Sequence, residues 1–255
     1  MDNTEKALTQ MTDAEIEFIC RNTDTRGMSM EDKRALASVL LQDRVISNQG
    51  FDFRPQRYKI NKDNQTFVEP LGTVLDEIKG VILHKQRVRA LWDEGSNIPL
   101  CSSLDCITGI DSEGMQRPCD GCEYDEWGSA SDEKSERKGK ACKEMRRIYL
   151  IEKNGTLPII VTLSPTSIKP WDEFNSARST AGITDLSAEV TLRLTPGKSG
   201  SYTYSVIQPK IGPKLAPADI VKFFKMRQKF AESWAKAEIT NEDYETTPEE
   251  DIPID

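Results

Sequence analysis

The sequence predicts an α+β protein, mainly β, built as an OB-like small barrel with a cysteine-rich insertion. Three observations carry that expectation. Several segments alternate apolar and polar residues with the period of two that marks a half-buried strand, as in Glu189-Val190-Thr191-Leu192-Arg193-Leu194. The strand signals are interrupted once, from about residue 99 to 143, by a polar stretch holding five of the six cysteines. Helical patterns are confined to the two ends, around residues 12–50 and 217–239.

Along the chain, Thr12-Asp13-Ala14-Glu15 is a capping box that opens a helix through about Asn22. Ser29-Met30-Glu31-Asp32 opens a second, with Leu36, Val39 and Leu40 at helical spacing. The two helices of the 1–50 region either form a hairpin or act as an arm that packs on a second copy of the chain. Strand character begins at Phe51-Asp52-Phe53 and Tyr58-Lys59-Ile60, and Val81 to Trp92 forms a long strand. Arg147 to Ile151, Leu157 to Leu163, Glu189 to Thr195 and Tyr202 to Ile207 follow, with Pro196 to Gly200 as a turn. Ile159-Ile160-Val161 is continuously apolar, as expected of a central strand. About five strands broken by one insertion suit a small barrel over residues 51–216. Pro217 starts the C-terminal helix, with Ile220, Phe223, Phe224, Ala231 and Trp234 on one face.

Charge is unevenly distributed. The chain carries 34 Lys and Arg against 42 Asp and Glu, a net −8. Eight of those acids lie between Glu238 and Asp255, where there is no Lys or Arg, so the body is close to neutral and can still carry a basic groove. Residues 240–255 are too polar to fold alone and are read as a disordered acidic tail. No long apolar run is present and the N-terminus has no signal-like pattern, so the expected location is the cytoplasm. A single histidine, His84, leaves little material for nucleophilic triads or histidine-rich catalytic metal sites, and the expectation is a non-enzyme. Gly197-Lys198-Ser199 resembles the end of a phosphate-binding loop, but Leu192 stands where its first glycine belongs.

The cysteines carry the sharpest chemistry. Cys119-Asp120-Gly121-Cys122 is a knuckle whose two thiolates can share one ion. Cys101 lies 18 positions before it and Cys142 lies 20 positions after it. Tetrahedral zinc needs four ligands, and Cys101, Cys119, Cys122 and Cys142 supply them, with Cys106 as the competing candidate for Cys101. No open coordination position is suggested, so the expected zinc is structural. It would tie the two ends of the insertion together.

A second constellation is basic and aromatic. Lys85, Arg87 and Arg89 alternate along one strand and share a face, and Trp92 closes the strand on the opposite face unless a bulge or bend intervenes. Lys138, Lys140, Lys143, Arg146 and Arg147 flank the last cysteine, with Tyr149 on the face of Arg147 and Trp171 as a further ring, beside Trp127 and Tyr202. Cations that follow phosphates and flat rings that stack on bases are what single-stranded nucleic acid requires.

The last residues, Glu249-Glu250-Asp251-Ile252-Pro253-Ile254-Asp255, resemble the C-terminal tip of bacterial and phage single-stranded DNA-binding proteins. In that family acids precede an Ile-Pro-aromatic ending that docks on replication and recombination partners and competes with DNA for the basic groove. The resemblance implies that Glu250 and Asp251 are docking acids and that Ile252, Pro253 and Ile254 form an apolar wedge. Ile254 replaces the aromatic, and Asp255 adds one residue. A barrel with a cysteine-rich insertion and an acidic tail also looks like phage replication-type single-stranded DNA-binding proteins. Cys101 to Asp105, Cys119 to Cys122, Trp127-Gly128-Ser129 and Lys138 to Lys143 look like an uncharacterised phage family, whose position equivalent to Cys106 looks like glycine and so favours Cys101 as ligand. The expected function is sequence-independent single-stranded DNA binding in phage replication or recombination. The competing reading is a zinc-containing adaptor of replication or transcription machinery with no nucleic-acid binding of its own.

Overall fold

The structure is a computed structural model that describes residues 11–47, 55–61, 63–93, 98–130, 139–153, 155, 157–199, 202–235 and 237–240. The expected strand at Phe51-Asp52-Phe53 lies outside the described residues. The chain divides into two compact units, residues 1–54 and 55–255.

Among its described residues the first unit has two helices, α1 (Asp13–Cys20) and α2 (Met30–Ser47). Thr12 and Glu15 form the reciprocal cap expected from the sequence: the Glu15 backbone N–H donates to Thr12 Oγ1 and the Thr12 N–H to Glu15 Oε2. Ser29 and Asp32 do the same for α2. Ile16, Cys20 and Ala37 are buried between the helices, flanked by Leu36 and Leu40, so the two form a hairpin. Cys20 thus belongs to this small core.

The second unit is a large sheet. Its strands are β1 (Gln56–Asn61), β2 (Thr66–Val68), β3 (Val74–Leu75), β4 (Glu77–Leu91), β5 (Cys101–Ser103), β6 (Thr108–Asp111), β7 (Gln116–Pro118), β8 (Lys143–Ile151), β9 (Ile159–Leu163), β10 (Ala188–Ser199) and β11 (Tyr202–Lys214). The main order is β3-β2-β1-β9-β8-β4-β5-β6-β7, with the β10–β11 hairpin joined through β4. β1 and β9 run parallel and the other pairs antiparallel. The long strand β4 organises the unit: Glu77–Gly80 pair with β10, Val81–Ala90 with β8, and Arg89–Leu91 with β5.

Two helices cover the sheet, α3 (Pro165–Thr180) and α4 (Pro217–Ala235). Apolar residues next to each other in a strand go alternately to two cores. Ile82, Ile148, Leu150 and Val161 pack with Trp171 of α3, whereas Val81, Leu83, Tyr149, Ile151 and Ile160 pack with Phe223 and Trp234 of α4. Both faces of β9 are therefore buried, which is why Ile159-Ile160-Val161 carries no polar alternation.

The α+β, strand-dominated class holds, but the sheet does not close into the expected OB-like barrel. A barrel hides one face of a sheet by curling it. Here α3 and α4 bury the two faces instead, and an open sheet suffices. Of the residues expected to share one face of α4, Phe223 and Trp234 are buried and Phe224 and Ala231 are exposed. Among the described residues, no helix is long and apolar enough to cross a membrane.

Candidate functional site

The insertion folds as a small arm on the end of β4. β5 pairs with Arg89–Leu91, β6 with β5, and β7 with β6. The chain then enters the knuckle at Cys119, passes through a short 3-10 turn at Glu123–Asp125, and returns to the sheet at Lys143. Gly121 has φ +69°, the left-handed conformation needed to turn the chain between the two cysteines. Backbone bonds lock the pieces together: Cys119 N–H donates to Ile107 O, Asp125 N–H to Cys122 O, and Cys142 N–H to Tyr124 O at 2.8 Å.

Among the described residues the arm has no apolar interior of its own. Ile98, Leu100, Ile107, Ile110, Met115, Tyr124 and Trp127 are all exposed. One cavity lies inside it, and Cys101, Cys119, Cys122 and Cys142 line it together. Gly109 makes room for them: a Cβ there would stand 2.8 Å from Cys101 Sγ and 3.8 Å from Cys119 Sγ. Burial pushes the Cys142 thiol up to about 12, with Arg89 opposing and the nearby Asp125, Cys122 and Cys101 adding to the rise. Cys101 is raised by burial and by the negative charge Cys119 and Cys122 would carry. Cys106 is not among the residues that line the cavity. It adopts φ +61° and sits beside Arg89, Arg87 and Glu144. As the side chains stand, no three Cys, His, Asp or Glu among the described residues are gathered into a set that could hold an ion.

The basic row lies where β4 and β8 run side by side. Arg87 is directly opposite Arg146, and Arg89 opposite Glu144. Glu144 joins three guanidiniums, at 2.9 Å to Arg87, 3.1 Å to Arg89 and 2.6 Å to Arg146. Burial alone would raise its carboxyl, but hydrogen bonds from Arg146 and Arg87 outweigh that and bring it down to about 2. Arg89 also meets Asp125 at 2.5 Å, and Asp125 meets Lys140 at 2.9 Å, so the knuckle turn is clamped to the sheet. Arg146 reaches Asp172 of α3 at 2.9 Å, and Lys85 reaches Asp185 at 3.0 Å. Lys143 is partly buried, its amine lowered by burial, and donates to Lys140 O.

Three residues expected to touch nucleic acid are interior. Arg147 is fully buried and donates to the carbonyls of Ala237 and Glu238 at 2.7 and 2.6 Å. Tyr149 is fully buried and packs against His84 and Trp234 under α4. Trp171 is the centre of the α3 core. The period of two placed Arg147 and Tyr149 on one face correctly, but that face is roofed by α4 and the segment that follows it, an arrangement invisible in the strand pattern. Trp92 is half-buried against Val88, Ala90, Met145 and Ile239, on the face opposite the basic row. Lys138 and the tail residues Glu250, Asp251, Ile252, Pro253 and Ile254 lie outside the described residues.

Asp125 and Glu144 give no signal in the sequence, because scattered acids are silent until a fold brings them to a cation, and Tyr124 gives none because a lone ring in a polar stretch has no period. Trp127 is 71% exposed and Tyr124 44%. The turn that carries them is held by Gly128 N–H to Gly139 O and by Ser129 Oγ to Tyr124 O. Comparison with protein-family models, with curated proteins and with solved structures gives no match for this chain.

Proposed function

We propose that this chain binds single-stranded DNA without reading its sequence, in replication or recombination, and that its acidic tail recruits partner proteins. The observation that carries the reading is the position of Trp127. It is a large ring left in water on a hydrogen-bonded turn, two residues from Asp125, whose carboxylate joins Arg89 of the basic row and Lys140. Lys85 and Arg87 continue the row along β4. Backbone phosphates would follow these cations while a base stacks on Trp127 or Tyr124.

A structural zinc belongs to the same reading. The donor set fits: four thiols line one cavity, in an arm whose described large apolar side chains are mostly exposed, with Arg89 near Cys142 to offset thiolate charge. Bound zinc would supply the cross-link that holds the arm folded, and no open coordination position is needed.

The test is a titration of labelled oligo-dT and matched duplex at two salt concentrations, with Trp127→Ala beside the unaltered chain. The expected result is strand-selective binding that weakens with salt, and a loss of about 1–3 kcal/mol in the variant, the worth of one stacked base. Equal preference for duplex, or salt-independent binding, overturns the reading. One feature favours the adaptor instead. Asp120, Glu123 and Glu126 are exposed sequence neighbours of the exposed rings Tyr124 and Trp127, a composition suited to a basic segment of a protein partner. Absence of nucleic-acid binding together with capture of a stable partner would select that reading.

A further inference from the structure

Residues directly opposite each other in an antiparallel pair stand close enough that like charges repel and destabilise the sheet. β4 and β8 nevertheless put Arg87 opposite Arg146, with Arg89 on the same face. Arg87 is 60% exposed, so water screens it, whereas Arg89 and Arg146 are held close to the sheet. What holds the three arginines together is the carboxylate of Glu144, which accepts from all of them. Guanidinium forks match carboxylate and phosphate oxygens alike, so a carboxylate gripped from two strands marks a place built for an oxyanion.

We propose that Arg87, Arg89 and Arg146 form a phosphodiester subsite for single-stranded nucleic acid, and that Glu144 occupies it in the free protein as an internal competitor. The proposal rests on the functional reading above and names where the backbone is held. Arg89 and Arg146 are only 14% and 11% exposed and keep Asp125 and Asp172 as second partners, so they stay in place when Glu144 gives way. Arg87, the exposed member, is the first to exchange its carboxylate for an incoming phosphate. Glu144 thereby sets a threshold: isolated anions bind poorly, whereas a strand with other contacts displaces it.

The experiment compares the full chain with Glu144→Gln and Arg87→Ala, using labelled oligo-dT and an abasic strand of equal length at two salt concentrations. The abasic strand reads backbone contact without stacking. Glu144→Gln should tighten binding of both strands about tenfold at low salt, the worth of one charge-assisted hydrogen bond. It should also steepen the salt dependence by about 0.7, one further phosphate. Arg87→Ala, at an exposed position that the fold tolerates, should weaken both strands by a similar factor. If both variants bind as the unaltered chain does, the subsite is overturned while the DNA-binding reading stands. If neither the unaltered chain nor Glu144→Gln binds either strand, both readings fall.

Discussion

Arg146 and Arg147 are neighbours in the chain and read alike in the sequence, yet β8 sends them to opposite faces. Arg146 joins the ion pairs with Glu144 and Asp172, whereas Arg147 is sealed beneath the segment that follows α4. Its guanidinium satisfies two carbonyls just past the end of α4, groups that have no intrahelical partner. Arg147→Met should therefore cost about 1.5–3 kcal/mol of stability in urea unfolding, because it leaves the Ala237 carbonyl without its charged donor and the Glu238 carbonyl with Arg57 in place of two guanidiniums. The same variant, where folded, should bind DNA as the unaltered chain does. A loss of affinity with stability unchanged would return Arg147 to the binding surface. The single histidine has a structural place too: His84 stacks on Trp234 at 4.8 Å, and burial, helped by Arg227, holds its pKa below the usual value.

At the scale of elements, the cysteine arm was legible because its chemistry is local. A knuckle with glycine between two cysteines announces itself in four residues, and the structure brings Cys101 and Cys142 to the same cavity. That Cys106 stays outside follows from the pairing of Cys101 with Asp111 across β5 and β6, which only the folded hairpin defines. Metal analysis should find one zinc per chain, kept by Cys106→Ser and lost by Cys142→Ser. Chelation should open the arm to limited proteolysis, while α3 and α4 remain folded. Equal zinc content in the two variants would sink the assignment. α3 was not legible. Pro165 starts it and Pro170 interrupts its bonding, and its buried residues include Ser167 and Arg178, so it lacks an apolar stripe. Ser167 Oγ instead accepts the buried Ile207 N–H, a contact across 40 residues.

At the scale of the molecule, charge and topology divide the work. Residues 241–255 carry seven acids and no base, so a chain ending at Thr240 has a net charge of −1 in place of −8. Ile239 is buried against Val88, Ala90 and Met145, so this cut leaves the anchored segment intact. The truncated chain should bind oligo-dT more tightly at low salt, with the difference vanishing as salt rises. An affinity unchanged at every salt concentration would remove the tail from the groove. The sequence by itself determined the long strands β4 and β8 to β11 and the short β1, where the terminal helices begin, which cysteines stand in a C-x-x-C pair and where the acids collect. Each depends on neighbours within a few residues. It missed β2, β3 and the strands β5 to β7 of the insertion, which are too short to show a period. Only the tertiary structure decided that the sheet stays open, that α3 and α4 roof its faces, and that Glu144 lies among three arginines. Those outcomes depend on pairings between distant segments, and periodicity says which face a side chain takes but not what covers it.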